Sequence, residues 1–364
     1  MDALSGLLDG PRARDAFLMR VVMRPPWSVR IEDESPLSLV AMVSGDAWVC
    51  FDGAEPVPLG PGDVAVLRGP DPYTFADAPG QEPMAIILPG QVCVTPNGEH
   101  LEDAMSLGVR SWGNDPAGPV VMLVGTYQLG GEVSRRLVSV LPPLAVLRRD
   151  EWDSPLVEVL AGEIGRDEPG QSLVLDRLLD LLAVAVLRSW LAGPEAEAPA
   201  WYQAHADPVV GHALRLLHHN PAHPWTVASL ARECGVSRAA LARRFTELVG
   251  DPPMAFLTGW RLALAADLLR EPGATVSKVA AQVGYATPFA LSTAFKRVHG
   301  ISPRDYRSSI LTSSVRANTS PYSSRSATRR SSARNVASAP RPGNDRIWTS
   351  SGSSSSSPAA LQPR

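Results

Sequence analysis

The segment TVASLARECGVSRAALARRFTELVG, residues 226–250, recurs in outline 49 residues later as TVSKVAAQVGYATPFALSTAFKRVHG, residues 275–300. Each copy reads as a short helix, a tight turn and a second helix. Two helices that cross steeply need a small residue at the crossing, and Ala231 and Ala280 supply it. The turn needs a residue that tolerates positive φ, supplied four positions on by Gly235 and Gly284. Leu230, Val236 and Leu241 complete the small core of the first copy, and Tyr285 matches Val236 in the second. Thr226, Ser237, Pro253, Thr275 and Ser302-Pro303 mark helix starts, and Gly250, Gly273 and Gly300 mark stops. The stretch 254–270 between the copies reads as one continuous helix. A single helix-turn-helix pattern is shared by many helical hairpins. Two copies joined by a helix can place both second helices in successive major grooves, about 34 Å apart on one face of a duplex.

Charge agrees with that placement. Residues 1–206 carry 14 Lys/Arg against 29 Asp/Glu, whereas 207–307 carry 12 against 7 and 308–364 carry 8 against 1. Contact with a polyanion is therefore expected at the C-terminal end, where the second helix of the first copy presents Arg238, Arg243 and Arg244. Phe245, Trp225, Trp260, Tyr285, Phe295 and Tyr306 sit at helical spacing among Leu and Ala, which marks them as core rather than as base-stacking residues.

From about 18 to 147 the pattern changes to short apolar or alternating runs cut by Gly and Pro. Examples are Leu37-Ser38-Leu39-Val40-Ala41-Met42-Val43, Ala47-Trp48-Val49-Cys50-Phe51, Asp63-Val64-Ala65-Val66-Leu67 and Ala85-Ile86-Ile87-Leu88. Such strands predict an all-β barrel or sandwich. Residues 155–164 and 171–191 then show helical spacing (Leu175, Leu178, Leu179, Leu182, Val186), which predicts helices that cover the barrel or pair with a second subunit. The expected layout is a barrel with appended helices over 1–200, a linker over 201–206 and an all-α DNA-binding domain over 207–307. The Ser-, Arg- and Pro-rich stretch 308–364 cannot bury enough apolar surface to order itself and is expected to be a disordered tail.

Several functions are excluded on the same residues. Met1-Asp2-Ala3-Leu4 lacks the basic flank and apolar run of a signal peptide, and 173–191 is interrupted by Asp176, Arg177, Asp180 and Arg188, so no membrane span is expected. Cys50, Cys93 and Cys234 are far apart without CxxC spacing and read as three buried thiols of a cytoplasmic protein. His100 is the lone histidine of the barrel region, and Gly69-Pro70-Asp71-Pro72-Tyr73 contributes none, so no metal is expected there. His219 and His223 are split by Asn220-Pro221, and neither GxSxG nor a phosphate-binding glycine loop occurs. Neither catalysis nor a cofactor is indicated.

Val249-Gly250-Asp251-Pro252-Pro253, Trp260-Arg261-Leu262, Gly284-Tyr285, Phe295-Lys296-Arg297 and Gly300-Ile301-Ser302-Pro303-Arg304-Asp305-Tyr306-Arg307 together resemble the DNA-binding domain of AraC/XylS-type regulators. The region 18–200 resembles, less specifically, the cupin-type sensor domain of one branch of that family, notably at Gly62-Asp63-Val64-Ala65-Val66-Leu67. The resemblance implies that Ser237, Arg238, Arg243 and Arg244 face DNA in the first unit, with Arg238 the first choice for a base contact. Of Arg243 and Arg244, it implies that one touches phosphate and the other supports the fold. In the second unit the matching face carries Thr287, Ser292, Thr293, Lys296 and Arg297. Pro288 and Phe289 stand where polar residues are usual, so this unit is expected to clamp the backbone more than read sequence. Arg304 and Arg307 are expected to add phosphate contacts.

The expected function is a sequence-specific transcriptional regulator, in the activating mode commoner in the family, working on double-stranded DNA with RNA polymerase. A small-molecule effector would sit in the barrel near Trp48 and Tyr73, and a homodimer would form through the helices. The alternative is a DNA-binding accessory protein of low sequence preference whose barrel only mediates oligomerisation.

Overall fold

The computed structural model describes residues 17–127, 131–139, 141–152, 154–193 and 199–309. The stretch expected to be a tail lies outside the described residues from 310 onward. Among the described residues thirteen strands run β1 (Phe17–Met23), β2 (Ser28–Ile31), β3 (Leu37–Ser44), β4 (Ala47–Phe51), β5 (Val57–Leu59), β6 (Val64–Arg68), β7 (Tyr73–Ala76), β8 (Ala85–Leu88), β9 (Val92–Val94), β10 (Ser106–Gly108), β11 (Ser111–Gly113), β12 (Val120–Tyr127) and β13 (Leu144–Leu147). They form a seven-stranded sheet, β10-β11-β1-β12-β3-β6-β13, and a six-stranded sheet, β5-β4-β7-β2-β8-β9. Most pairs are antiparallel; β1 with β11 and β2 with β8 are parallel. This is the β-rich barrel expected from the alternating runs, of the cupin type that the resemblance implies.

The larger sheet is buried on both faces. Val21, Met23, Val40, Met42, Ala65, Leu67 and Met122 point into the barrel. Their alternates Leu39, Ala41, Val64, Val66 and Leu123 point outward under a helical layer. That is why β3 reads as a nearly continuous apolar run rather than a clean alternation. The Gly62-Asp63 turn is fixed by Asp63, whose carboxylate accepts from the backbone N–H groups of Gly60 and Arg149, each at 3.0 Å, and pairs with Arg148 at 2.9 Å.

The helices are α1 (Glu132–Val138), α2 (Leu156–Ile164), α3 (Gln171–Ala192), α4 (Ala200–Gln203), α5 (Val210–His219), α6 (Val227–Glu233), α7 (Arg238–Val249), α8 (Pro253–Leu268), α9 (Val276–Gln282) and α10 (Pro288–His299), with a last helical stretch over 303–309. α3 lays Leu175, Leu179, Leu182, Ala183 and Val186 on the barrel. The Tyr127 hydroxyl donates to the Leu179 carbonyl at 2.9 Å across that contact. The stretch expected to be a plain linker is helical instead: α4 is followed by a 3-10 turn at Ala204–Ala206. Its side chains explain why. Trp201 and Tyr202 pack on the sensor core, and Ala204 is buried in the core of the first helix-turn-helix unit. Of the three thiols only Cys93 is buried; Cys50 and Cys234 are half-buried, and all three are free.

Candidate nucleic-acid interface and sensor cavity

Both helix-turn-helix units are built by the small residues and caps visible in the chain. Ala231 and Ala280 are each 1% exposed at their crossings, and Leu241, Phe245, Leu291 and Phe295 are fully buried. Thr226 and Ser229 cap α6 reciprocally: the Thr226 hydroxyl accepts the Ser229 N–H at 3.0 Å, and Ser229 Oγ accepts the Thr226 N–H at 2.9 Å. Ser237 caps α7 through the Ala240 N–H, and Thr287 caps α10 through the Ala290 N–H. Both turn glycines have positive φ, and a Cβ on Gly284 would also meet the Ala222 Cα at 2.7 Å.

The caps align the two recognition helices. Ser237 follows its turn glycine by two residues and Thr287 follows its own by three, so the second turn carries one extra residue. In that register Arg238 corresponds to Pro288, Arg243 to Thr293, and Ala239 to Phe289. Arg238, Arg243, Thr293, Lys296 and Arg297 are exposed on their helices, as is Arg304. Ser292 is half-buried and its hydroxyl donates back to the Pro288 carbonyl at 2.8 Å. Phe289 is 81% exposed, the most open large apolar side chain among the described residues.

Two of the expected contact residues are occupied elsewhere. Arg244 donates through Nε and Nη2 to Asp207 Oδ2, at 2.8 and 2.5 Å. Asp207 also accepts from the N–H groups of Val209 and Val210 at the start of α5, so Arg244 ties α7 to that helix. Burial pushes the Asp207 carboxyl up, but the Val210 N–H and Arg244 outweigh it and hold the group below the usual carboxylate range. Arg307 is half-buried and donates to the Ala274 carbonyl just ahead of α9. Arg243 keeps only a loose i,i+4 pairing with Glu247 at 3.8 Å.

The barrel encloses a cavity of about 300 Å³ between its two sheets. Alternate residues line it: Met19 and Val21 of β1, Met122 and Val124 of β12, Val29 and Ile31 of β2, and Tyr73 and Phe75 of β7. Trp27 and Trp112 add aromatic wall. Polar groups are few, with Asp33, Gln91, Glu102 and Arg110 among them. Tyr73 thus lies where expected, but Trp48 is not among the lining residues. Ala47 and Val49 take the inward positions of β4 and turn Trp48 to the other face. The Trp27 indole N–H is buried and has no hydrogen-bond acceptor among the described residues. Among the described residues no group of three His, Cys, Asp or Glu is arranged to hold a metal ion.

A cupin family model matches residues 2–192 and a helix-turn-helix domain model matches residues 230–309. A putative AraC-like transcription regulator of Streptomyces lividans is 33% identical over 312 residues, spanning 84% of this chain and 98% of the relative. The chain belongs to the AraC family of transcription regulators. A second putative AraC-like regulator, from Streptomyces antibioticus, is 31% identical over 315 residues, 84% of this chain and 98% of its own. The HTH-type transcriptional regulator AlkR of Acinetobacter baylyi is 27% identical over 314 residues, 84% and 99% respectively. This AraC-type protein is a DNA-binding transcriptional regulator.

Its two halves also share a contact that the sequence does not announce. Trp260 and Ala263 of α8, the helix joining the helix-turn-helix units, are buried in the core formed by the cupin domain's helices and outer sheet face. Asp267 on the same helix accepts the N–H groups of Glu132 and Val133 at the start of α1. The AraC-type DNA-binding half is therefore docked on the cupin domain through its connecting helix. No helix among the described residues is long and apolar enough to cross a membrane.

Proposed function

We propose that this AraC-family regulator reads a two-element promoter site in double-stranded DNA and does so under the control of a small effector held in the barrel. The observation that carries the reading is the pair of capped recognition helices, α7 and α10, whose outer residues are exposed and which one continuous helix joins. Arg238 reads a base edge, with Arg243, Lys296, Arg297 and Arg304 on phosphates and Ser237, Thr287, Ser292 and Thr293 at closer range. The second unit chiefly clamps the backbone, and Phe289 at the exposed start of α10 adds one sequence-reading contact to it: an apolar ring meets the thymine methyl group in the major groove. Arg244 and Arg307 act on the fold instead.

The effector site is the cavity lined by Tyr73, Trp27 and Trp112. Its volume lies at the small end of the about 300–1,000 Å³ usual for ligand pockets, and the buried Trp27 donor supports an occupant. Val159, Leu173, Val174 and Leu181 leave an exposed apolar strip on α2 and α3, which fits a homodimer through that layer. The protein acts in the cytoplasm as an activator that recruits RNA polymerase, without catalytic activity of its own. The test is spacing. Once a site is found, inserting about 5 bp between its elements turns them to opposite faces of the duplex and should abolish binding, whereas about 10 bp should restore part of it. Binding indifferent to both insertions would overturn the two-element reading.

A further inference from the structure

The polar groups of the cavity are unevenly distributed by charge, and this bears on what it holds. Asp33 is 9% exposed, yet its carboxylate is met only by neutral donors: the Ser35 N–H at 3.0 Å, the Ser35 hydroxyl at 2.6 Å and the Gln91 amide at 3.1 Å. No ion pair to Asp33 occurs among the described residues. A buried carboxylate without a cation nearby is costly unless something else balances it. Glu102 adds a second carboxylate to the lining, 3.6 Å from the His100 imidazole. Each acidic group is felt by a neighbour in the smaller sheet. Burial raises the Tyr73 hydroxyl and Asp33 raises it further; burial raises the Cys93 thiol to about 11, with Glu102 adding to it. Among the described residues Arg110 is the one basic residue of the lining; it lies beside β11 of the larger sheet and donates to Gln171 of α3 at 3.3 Å. The wall around this acidic side is aromatic: Tyr73 stacks edge-on to Phe75 at 5.8 Å and tilts against Phe51 at 5.7 Å, with Trp27 and Trp112 on the same cavity. Aromatic faces beside a carboxylate favour a cation and disfavour an anion.

We propose that the effector is a small lipophilic cation, a protonated or quaternary amine on an apolar body, with its charge between Asp33, Glu102 and the aromatic wall. This rests on the reading of the cavity as the effector site. The apolar body lies along Met19, Val21, Met122 and Val124, and Trp27 donates to any acceptor the body carries.

Three probes with one shared body separate the charge question from the site question: 4-phenylbutylamine, 4-phenylbutanol and 4-phenylbutanoate, titrated calorimetrically into the full chain. The amine should bind about tenfold or more tightly than the carboxylate, with the alcohol between. Glu102→Gln, at an exposed position that leaves packing untouched, should narrow the gap. Asp33→Asn should narrow it further, with circular dichroism confirming its fold. Met122→Trp, which fills the cavity, should abolish binding of all three. Carboxylate or alcohol binding as tightly as the amine, and lost in Met122→Trp, would overturn the cation while keeping the cavity as the site. Binding unaffected by Met122→Trp, or no binding of any probe at millimolar concentration, would overturn the site and the cation together.

Discussion

The carboxylate of Asp267, in the helix that joins the two helix-turn-helix units, accepts the backbone N–H of Glu132 at 2.5 Å and that of Val133 at 3.1 Å in the cupin domain. Residues 135 positions apart thus form one helix cap. α1 follows β12, whose Met122, Val124 and Thr126 line the cavity, so the cap lies a short stretch of chain from that cavity.

Asp267→Ala should loosen the docking of the two halves. The loss of a helix cap costs about 0.5–2 kcal/mol. Hydrogen exchange at the Glu132 and Val133 amides should accelerate while amides of the β12 core stay protected. Unchanged exchange would mean that Trp260 and Ala263 hold the interface without the cap.

The same carboxyl predicts a pH dependence. Burial raises Asp267 above the usual carboxylate range, opposed by the Glu132 and Val133 N–H groups and by Arg270, with Glu132 adding to the rise. A carboxyl that binds its proton more tightly when folded stabilises the fold most at low pH. That contribution falls as pH rises through its folded value. The stability of the native chain relative to Asp267→Ala should therefore decrease from about pH 4 towards neutrality, the unfolded reference being about 3.9. A relative stability that rises over this range would contradict the assignment.

Arg238 and Arg244 should behave oppositely. Arg238→Ala should cost about 1–3 kcal/mol on a cognate site and spare random DNA. Arg244→Ala should lower the melting temperature and leave the salt dependence of DNA binding unchanged, because its charge is spent on Asp207. The Asp207 carboxyl is held low, so its contribution is present above about pH 3.9 and is lost as pH falls through the folded value. A smaller salt slope in Arg244→Ala would return that residue to the interface.

Phe289→Ala should weaken binding at one base pair of the second element, by about 1–3 kcal/mol. Replacing the matching thymine by uracil, which removes only the methyl group, should reproduce most of that loss. If uracil changes nothing, Phe289 is not read against thymine.

The DNA-binding half was legible because its determinants are local. Caps at Thr226, Ser237 and Thr275, glycines at Gly235 and Gly284, and alanines at the crossings all act within a few residues. The barrel was legible as alternating runs, but alternation does not say which parity faces inward. Val49 pairs with Phe75, a cavity residue, and cross-strand partners share a face; Trp48 therefore points away. The sequence does not say which of Arg243 and Arg244 is tied into the fold, because the Arg244 partner Asp207 is 37 residues earlier in the chain. α1 was missed because its seven residues lie inside a region of strands, and its cap comes from the other half of the molecule.

The most direct test of the account is selection of genomic fragments by the purified full chain at physiological salt with excess competitor DNA. A few sites should be recovered that share a motif in two elements about one helical turn apart. Uniform recovery across the genome, with and without the lipophilic amine, would contradict a sequence-specific regulator and favour an accessory DNA-binding protein.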